Sequence, residues 1–447
     1  MDLHPQTSFD YEVITSPQFL GHKVRVKQND PNTLGLDTVN QYTGFLDVDD
    51  DKHLFFWFFE SRNDPSTDPI VFWLNGGPGG SSAIGLFFEL GPSFINASIR
   101  PEFNPYSWNS NASVVFIDQP VGVGFSYSEK SAVNSTAIAG VDFYAFTELF
   151  FQKFPQFKSN SFHIAGESYG GHYIPKFASE ILAHPKRSFN LTSVLIGNGF
   201  TDAIVQYEAL IGMGCGQGGY KSILSEDDCK SLEEIYPKCV ELLEPCNKEQ
   251  NPEKCEPAFH YCESNMFEPF SKTHLNPFDI RMSCGGGEEE CYDEIAYVEE
   301  YLNLEFVREA LGLSSEVPKF ASSSEDVYKN FSVVGDKALP HQQYVAELLD
   351  KGVAVLIYAG DKDYRCNWLG NFHWTDKLEY SLHQEFSRQS LAPLVFKGEK
   401  STVGEFRNYD KFTFVRVYDA GHLLPHDQPK ASLDMLNTWL QGNYAFA

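Results

Sequence analysis

The sequence predicts an α/β protein with a mostly parallel central sheet, helices on its faces and a disulfide-rich helical insertion. Strand-like segments alternate with helical ones along most of the chain, which is typical of α/β sheets. Several strand-like segments are continuous runs of Val, Ile, Leu and Phe, as expected for strands that are covered on both faces. Eight of the nine cysteines lie between Cys215 and Cys291, and they mark the insertion.

Seven segments carry the strand signal along the chain. Each is rich in β-branched or aromatic residues and is bounded by turn residues. They lie at residues 53–61, 68–80, 112–124, 162–168, 192–200, 353–363 and 411–422. The pattern also predicts a helix near Ile174–His184, directly after the fourth strand.

Residues 201–350 separate the fifth predicted strand from the sixth. This stretch holds all eight clustered cysteines and helical patterns such as Ser225–Glu244. We expect it to form a cap over one end of the sheet. No linker or low-complexity segment interrupts the sequence, and 42% of its residues are hydrophobic. Residues 25–447 are therefore predicted to be one domain that contains the cap.

The composition restricts the partners and the compartment. A formal net charge of −27 argues against nucleic acid and anionic membranes as partners, because both require basic surfaces. No apolar run reaches the roughly 20 residues of a membrane span. The clustered cysteines are 7 to 22 residues apart, which favours disulfides over a zinc site. Disulfides in turn indicate an oxidising compartment, and neither a metal nor a cofactor is expected.

The signals for secretion differ between the N-terminus and the rest of the chain. The first residues show no basic region followed by an apolar one, so we expect a chain that is truncated or processed. Candidate N-glycosylation sites are nevertheless present at Asn96, Asn111, Asn134, Asn190 and Asn330.

The segment Gly166–Gly170, GESYG, matches the Gly-X-Ser-X-Gly pattern of a nucleophile elbow. In such an elbow the serine lies on a strained turn between a strand and a helix. Small residues on both sides of it then avoid collisions with neighbouring backbone. The alternative is a small polar residue in a glycine-rich loop. The apolar strand before Ser168 and the amphipathic helix after it favour the nucleophile.

Candidate acids and bases follow Ser168 in the order that a hydrolase triad of this type requires. Asp361 and Asp363 follow the sixth strand, and His422 follows the seventh on a turn that contains glycine. His426 is ranked second as the base, because it follows a proline and leads into the last helix. The two histidines could instead bind a metal, but that proline prevents the helix that would align them.

The glycine run Asn75–Gly80 follows the second predicted strand and suggests an oxyanion hole. Acyl transfer requires backbone N–H groups that point at the oxygen on which negative charge develops. The N–H of Tyr169, next to the nucleophile, would be a second donor. A phosphate-binding loop is the alternative for this run, but the run lacks the Gly-Lys-Ser/Thr ending of such loops.

Long, ordered motifs resemble the serine carboxypeptidases, and the fungal vacuolar members in particular. They are WLNGGPG, FFELGP, GESYGGHYIP, YAGDKD and AGHLLPHDQP, with further likeness at QYTGFLDV, NPYSWN and NLTSVLIGNG. The likeness thus covers nearly everything from about Val24 onward. The resemblance implies an α/β-hydrolase fold with Ser168 as nucleophile, Asp363 as acid and His422 as base. It also implies an oxyanion hole formed by Gly77 and Tyr169.

The resemblance further implies how a substrate is held. The free terminal carboxylate of a peptide would bind Asn75, Gly76 and the carboxyl pair of Glu89 and Glu167. Two carboxyls within hydrogen-bond distance cannot both ionise at low cost, so one keeps its proton and donates to the anion. Loss of this proton at higher pH should reduce peptidase activity, which predicts an acidic optimum and suits a vacuole. The expected substrate pocket contains Trp73, Phe88, Phe200, Arg365, Cys366 and Leu423.

The cysteines of the insertion allow roughly 100 pairings. The resemblance implies the pairs Cys215–Cys229, Cys239–Cys262, Cys246–Cys255 and Cys284–Cys291. Cys366 would be a free thiol beside the active site, the alternative being an inert buried thiol.

The sequence departs from the family pattern at three places. Gly80 and Ser323 stand where the family usually has two cysteines, which predicts a lost disulfide and a less tethered loop. Arg365 replaces an apolar residue in the pocket before the scissile bond, which predicts a preference for acidic penultimate side chains. Residues 1–24 resemble the tail of a propeptide or a remnant of cloning.

The predicted function is a serine-type carboxypeptidase that releases C-terminal residues through an acyl-enzyme, with broad, apolar-leaning specificity. An acyltransferase on the same scaffold and a non-catalytic glycoprotein are the alternatives. Expected partners are peptide and protein substrates and a proteinaceous inhibitor, and the chain is expected to be a monomer. We expect a vacuole-like acidic compartment, reached by the secretory pathway, or secretion as the alternative.

Overall fold

A large mixed β-sheet forms the centre of the molecule. The structure, a computed structural model, describes residues 10–284, 291–398 and 400–446. Its strands are β1 Glu12–Thr15, β2 His22–Asn29, β3 Gln41–Val48, β4 Lys52–Phe59, β5 Ile70–Leu74, β6 Ser93–Ile95, β7 Pro101–Phe103, β8 Ser113–Ile117, β9 Tyr127–Ser128, β10 Phe162–Glu167, β11 Leu191–Gly197, β12 Leu275–Asn276, β13 Asp279–Ser283, β14 Ala354–Gly360, β15 Ala392–Leu394, β16 Gly404–Tyr409 and β17 Phe412–Val417.

The helices lie on both faces of this sheet and in the insertion. They are α1 Pro31–Leu34, α2 Thr136–Lys153, α3 Gly170–Ala183, α4 Ala203–Gly214, α5 Glu226–Glu249, α6 Pro252–Ser271, α7 Asp293–Leu302, α8 Glu305–Leu311, α9 Glu325–Ser332, α10 Gln342–Asp350, α11 Trp368–Lys377, α12 His383–Ser387, α13 Leu424–Asp427 and α14 Pro429–Leu440. No helix of the described ranges is long and apolar enough to span a bilayer.

The strands of the main sheet follow the order β1-β2-β3-β4-β8-β5-β10-β11-β14-β17-β16-β15, and β9 pairs with β4. The six strands from β8 to β17 in this order are parallel to one another. Antiparallel strands extend both ends of the sheet. The predicted parallel centre is therefore confirmed, while the sheet as a whole is mixed because of these antiparallel extensions.

Alternation along the strands divides the buried side chains into two cores. Neighbouring residues of a strand point to opposite faces, so Phe72 belongs to one core and Trp73 to the other. Helices α2, α3, α10 and α11 cover the first core, and α7, α8 and α14 cover the second. The parallel strands are thus buried on both faces, as their continuous apolar sequences indicate.

The insertion between β11 and β14 contains the helices α4 to α10. The predicted helix Ser225–Glu244 begins one residue later and extends to Glu249, with Ser225 as its N-cap. Disulfides Cys239–Cys262 and Cys246–Cys255 connect α5 to α6. The other two disulfides are Cys215–Cys229 and Cys284–Cys291, so all four pairs are those that the family resemblance implies.

Candidate active site

Ser168 lies on a sharp turn between β10 and α3. Its φ angle is +69°, a left-handed conformation that costs a non-glycine residue about 1–2 kcal/mol. Backbone hydrogen bonds maintain the turn, because the carbonyl oxygen of Ser168 accepts the N–H of Gly171 at 2.9 Å and that of Phe200 at 2.8 Å. Its hydroxyl is therefore presented on a backbone that the surrounding structure holds in place.

Glycine is required at two positions around this turn. A Cβ at Gly166 would lie 2.1 Å from the carbonyl oxygen of Leu74, and one at Gly171 would lie 2.5 Å from that of Phe200. A Cβ at Gly170 would meet no atom closer than 3.4 Å. The prediction that a side chain would collide with neighbouring backbone is correct at Gly166 but wrong at Gly170. The close contact falls on Gly171 instead, because that residue packs against the loop after β11.

His422 and Asp363 form a buried pair at the ends of β17 and β14. Nδ1 of His422 lies 2.7 Å from Oδ2 of Asp363, and the Asp363 side chain is fully buried. Asp361 instead contacts Lys362 and Arg416, and His426 contacts Asp427. Of the candidate acids and bases, the structure therefore brings together Asp363 and His422.

The loop after β11 connects this pair to the nucleophile turn. Nδ2 of Asn198 donates to Oδ2 of Asp363 at 2.8 Å, while the N–H of Phe200, two residues on, donates to Ser168. Strands β10, β11, β14 and β17 are neighbours in the sheet, so their carboxyl ends meet at one edge. Asn198 is a site residue that sequence reasoning missed, because a single asparagine carries no motif.

The glycine run packs directly against the nucleophile turn. A Cβ at Gly76 would lie 2.3 Å from the backbone nitrogen of Tyr169 and 2.6 Å from the Cβ of Ser168. Gly77, the next residue, has a φ angle of +109°, which side chains rarely allow. The backbone of this loop can approach Ser168 so closely only because side chains are absent here.

A pair of buried carboxyls lies beside the glycine run. Nδ2 of Asn75 donates to Oε1 of Glu89 and to Oε1 of Glu167, each at 2.9 Å. The orientation of this amide is determined by its oxygen, which accepts the indole N–H of Trp73 at 2.7 Å and the N–H of Gly85 at 3.0 Å. Trp73 has no exposed surface, so its side chain orients Asn75 from behind.

The carboxyl pair favours a retained proton. Burial raises the pKa of Glu167 well above its usual range, and the charge of Glu89 raises it further. Burial also raises the pKa of Glu89, although hydrogen bonds from Glu167 and Asn75 partly offset this. One proton shared by the two carboxyls avoids two adjacent buried charges.

Phe88, Leu423 and Cys366 of the predicted pocket are all buried. Phe88 packs against His426 with the ring centroids 4.3 Å apart, and the N–H of His426 donates to the carbonyl oxygen of Leu423 at 3.0 Å. The buried sulfur of Cys366 lies within 4.8 Å of a carboxylate oxygen of Asp363 and of a ring nitrogen of His422. Burial raises the pKa of this thiol.

Arg365 is paired with an acidic residue of α6. Its Nη2 lies 2.6 Å from Oε1 of Glu263, and Nζ of Lys337 lies 2.8 Å from Oε2 of the same carboxylate. Burial opposes the charge of Glu263, but Arg365 and Lys337 lower its pKa to about 2. Arg365 therefore does not face the site as an isolated cation.

Gly80 and Ser323 pair as an isolated antiparallel β-bridge. Hydrogen bonds on both sides of the bridge join Ser81 to Ser322 at 2.9 Å and Ser324 to Gly79 at 3.0 Å. The two positions are thus adjacent without a disulfide, and backbone hydrogen bonds connect the glycine run to the residues before α9.

The sheet order and the serine turn after a parallel strand define the class of the protein as an α/β-hydrolase. The chain belongs to the serine carboxypeptidase family, whose sequence profile matches residues 31–442. It is 51% identical to carboxypeptidase Y of Candida albicans over 439 residues, which are 98% of this chain and 80% of that relative. It is also 50% identical to the vacuolar serine-type carboxypeptidase ATG42 of Saccharomyces cerevisiae, over 95% of this chain and 84% of that relative.

A solved structure shows the same fold. The prohormone-processing carboxypeptidase Kex1 of S. cerevisiae superposes with a TM-score of 0.81 over 93% of this chain and 92% of that chain, at 24% identity. The protein is therefore a serine-type carboxypeptidase, a peptide hydrolase.

Proposed function

We propose that Ser168, His422 and Asp363 are the catalytic triad of this carboxypeptidase. The observation that carries the proposal is the 2.7 Å contact between His422 and a fully buried Asp363, tied to the Ser168 turn through the loop after β11. Asp363 holds the imidazole with Nδ1–H directed at itself, which leaves Nε2 as the base.

The reaction proceeds by acyl transfer to the serine. Nε2 of His422 takes the hydroxyl proton as Oγ of Ser168 attacks the last peptide carbonyl carbon. The N–H groups of Gly77 and Tyr169 stabilise the resulting oxyanion. Collapse breaks the C–N bond, and His422 gives its proton to the leaving amine. Water then hydrolyses the ester by the same steps and restores Ser168.

We propose that Asn75, Gly76, Glu89 and Glu167 bind the free carboxylate of the substrate. A protonated carboxyl of the pair and the amide of Asn75 are donors that an anion can accept. Because the pair lies beside the glycine run, only a peptide that ends there places its last carbonyl at Ser168. This accounts for cleavage at the C-terminus and predicts an acidic pH optimum.

The two sides of Ser168 suit different parts of the substrate. If the terminal carboxylate binds the carboxyl pair, the last side chain lies near Phe88 and Leu423, which favours apolar residues. The preceding side chain then lies toward Phe200 and Cys366. We propose a broad specificity with this apolar preference.

The location of the protein is proposed from its disulfides and its relatives. Four disulfides require an oxidising route, and one of the relatives is named vacuolar. An acidic vacuole reached by the secretory pathway suits both, with secretion as the alternative. Of the glycosylation candidates, Asn111 and Asn190 are exposed and Asn96, Asn134 and Asn330 are half-buried. Glycosylation, the monomeric state, a proteinaceous inhibitor and a propeptide-like segment at residues 1–24 stay predictions.

Product analysis with a blocked dipeptide tests the proposal against an acyltransferase. We expect the free C-terminal amino acid and the blocked acid as products, at acidic pH. An alcohol acceptor should divert only part of the acyl group to the ester. An enzyme that forms ester in the presence of alcohol but releases no acid in water would contradict the proposal.

Replacement of Asn198 by glycine should lower kcat/KM by about 10- to 100-fold, because it removes a hydrogen bond to the charged Asp363. Glycine suits this position, since Asn198 has a φ angle of +39°. Steady-state kinetics and the melting temperature check the prediction. Wild-type kinetics in a folded variant would show that Asp363 does not depend on this amide.

Arg365 should contribute a modest preference for acidic penultimate residues. Because Glu263 already pairs with it, we expect Glu to be favoured over Leu by about 2- to 5-fold at this position, and the preference to disappear in Arg365→Leu. Relative kcat/KM values for the two peptides measure it. Equal rates in both proteins would eliminate this role.

A further inference from the structure

Tyr169 connects the proposed oxyanion hole to the cap. Its N–H is the proposed oxyanion donor, and its side chain is fully buried. The hydroxyl of Tyr169 donates to Oδ2 of Asp336 at 2.7 Å. The ring stacks on His172 at a centroid distance of 4.6 Å. The position of this peptide N–H therefore depends on what holds the side chain.

Asp336 has a buried side chain that accepts several hydrogen bonds. Only 1% of its surface is exposed. Besides Tyr169, it accepts the N–H of Thr136 at 3.0 Å and the hydroxyl of Thr136 at 2.5 Å. Thr136 is the first residue of α2. The side chain of Asp336 thus joins the start of a core helix to the residue next to the nucleophile.

Asp336 belongs to the cap, and contacts with other cap residues hold it in place. The preceding residue, Gly335, has a φ angle of +66°, and a Cβ there would lie 2.2 Å from the carbonyl carbon of Cys255. Cys255 is bonded to Cys246, whose sulfur lies 3.5 Å from the carbonyl oxygen of Ala338. The part of α5 and α6 that this disulfide links therefore packs against the turn that carries Asp336.

We propose that Asp336 is a positioning residue for the oxyanion hole, which holds the Tyr169 N–H through the Tyr169 hydroxyl and is itself held by the cap. This inference rests on the proposed role of Tyr169 in catalysis. It gives the cap a role in catalysis, through the position of the Tyr169 N–H. Nothing in the triad itself requires Asp336, which lies 167 residues from Tyr169 in the sequence.

Two variants test the proposal. Asp336→Ala removes both oxygens that accept hydrogen bonds from Tyr169 and Thr136, and Tyr169→Phe removes the hydroxyl but keeps the ring. We expect each to lower kcat by about 10- to 100-fold, a part of the effect of losing an oxyanion donor, with KM changed less than about threefold. The double variant should be no slower than the slower single variant, because both break one interaction.

Inhibitor binding separates positioning from general destabilisation. A peptide boronate, which forms a tetrahedral adduct with the serine, should bind both variants more weakly in proportion to the loss of kcat. The product amino acid should bind them as it binds the wild type. Asp37→Ala, which removes the buried carboxylate that pairs with Arg62 and Asn109 far from Ser168 in the sequence, is the control that lowers the melting temperature without changing kcat.

A folded Asp336→Ala or Tyr169→Phe enzyme with kcat within twofold of the wild type would overturn the inference. So would additive effects in the double variant, or unchanged boronate binding. None of these outcomes would count against the proposed triad if an active-site phosphonate still labels Ser168 of the wild-type enzyme. Failure of that labelling would instead reject the proposed function.

Discussion

Replacing Ser168 with alanine should reduce kcat/KM for a blocked dipeptide by about 10⁵- to 10⁶-fold, to the level of a protein that binds but does not form an acyl-enzyme. The fold should be unaffected, because alanine meets the same left-handed backbone conformation as serine and removes one partly exposed hydroxyl. Burst kinetics with an activated ester, together with the melting temperature, measure both effects.

A matched control lies on the helix that follows. Ser179 lies on α3, and its hydroxyl donates to Glu347 at 2.6 Å. Ser179→Ala should lose about 1 kcal/mol of stability and keep full activity. If Ser168→Ala retained substantial activity, Cys366 would be the next candidate nucleophile, because its sulfur lies close to His422. Its burial and raised pKa argue against that role.

The second large effect concerns the pH dependence of terminal-carboxylate binding. The raised pKa values of Glu167 and Glu89 mean that the pair keeps a proton above the usual carboxyl range. As pH rises past the pKa of the pair, this proton is lost and the pair repels the substrate carboxylate. We expect kcat/KM for a blocked dipeptide with a free C-terminal carboxylate to fall by about tenfold per pH unit in that range.

The C-terminal amide of the same dipeptide is the matched control. Its terminal N–H₂ can donate to an ionised carboxyl, so its kcat/KM should not fall over the same range. Asp118, a buried acid whose pKa burial raises to about 6, would affect both substrates alike, and the comparison therefore separates the two causes. In Glu89→Gln/Glu167→Gln the alkaline fall for the free acid should disappear. Parallel profiles for acid and amide would refute the role of the pair.

Sequence patterns predicted the centre of the fold better than its edges. Continuous apolar runs such as β14 are unambiguous because both faces are buried. The outer strands were not predicted. β2, for example, alternates buried and half-exposed residues and contains three basic ones, so it lacks the continuous apolar run that marks the central strands.

The active site shows the same division between local and long-range information. Ser168 carries a local motif, and His422 follows the expected strand. Asn198 and Asp336 carry no local signal, since their contacts with Asp363 and Tyr169 span 165 and 167 residues. The shift of the steric requirement from Gly170 to Gly171 likewise follows from a loop that packs onto the turn from another strand.

The most direct test of the account is to locate the adduct of a peptidyl phosphonate by mass spectrometry. One equivalent should modify Ser168 in the wild type and abolish peptidase activity in proportion to labelling. Labelling should be at least about 100-fold slower in His422→Ala, since the hydroxyl then lacks its base. Modification of another residue, or full turnover by an enzyme labelled at Ser168, would contradict the central claim.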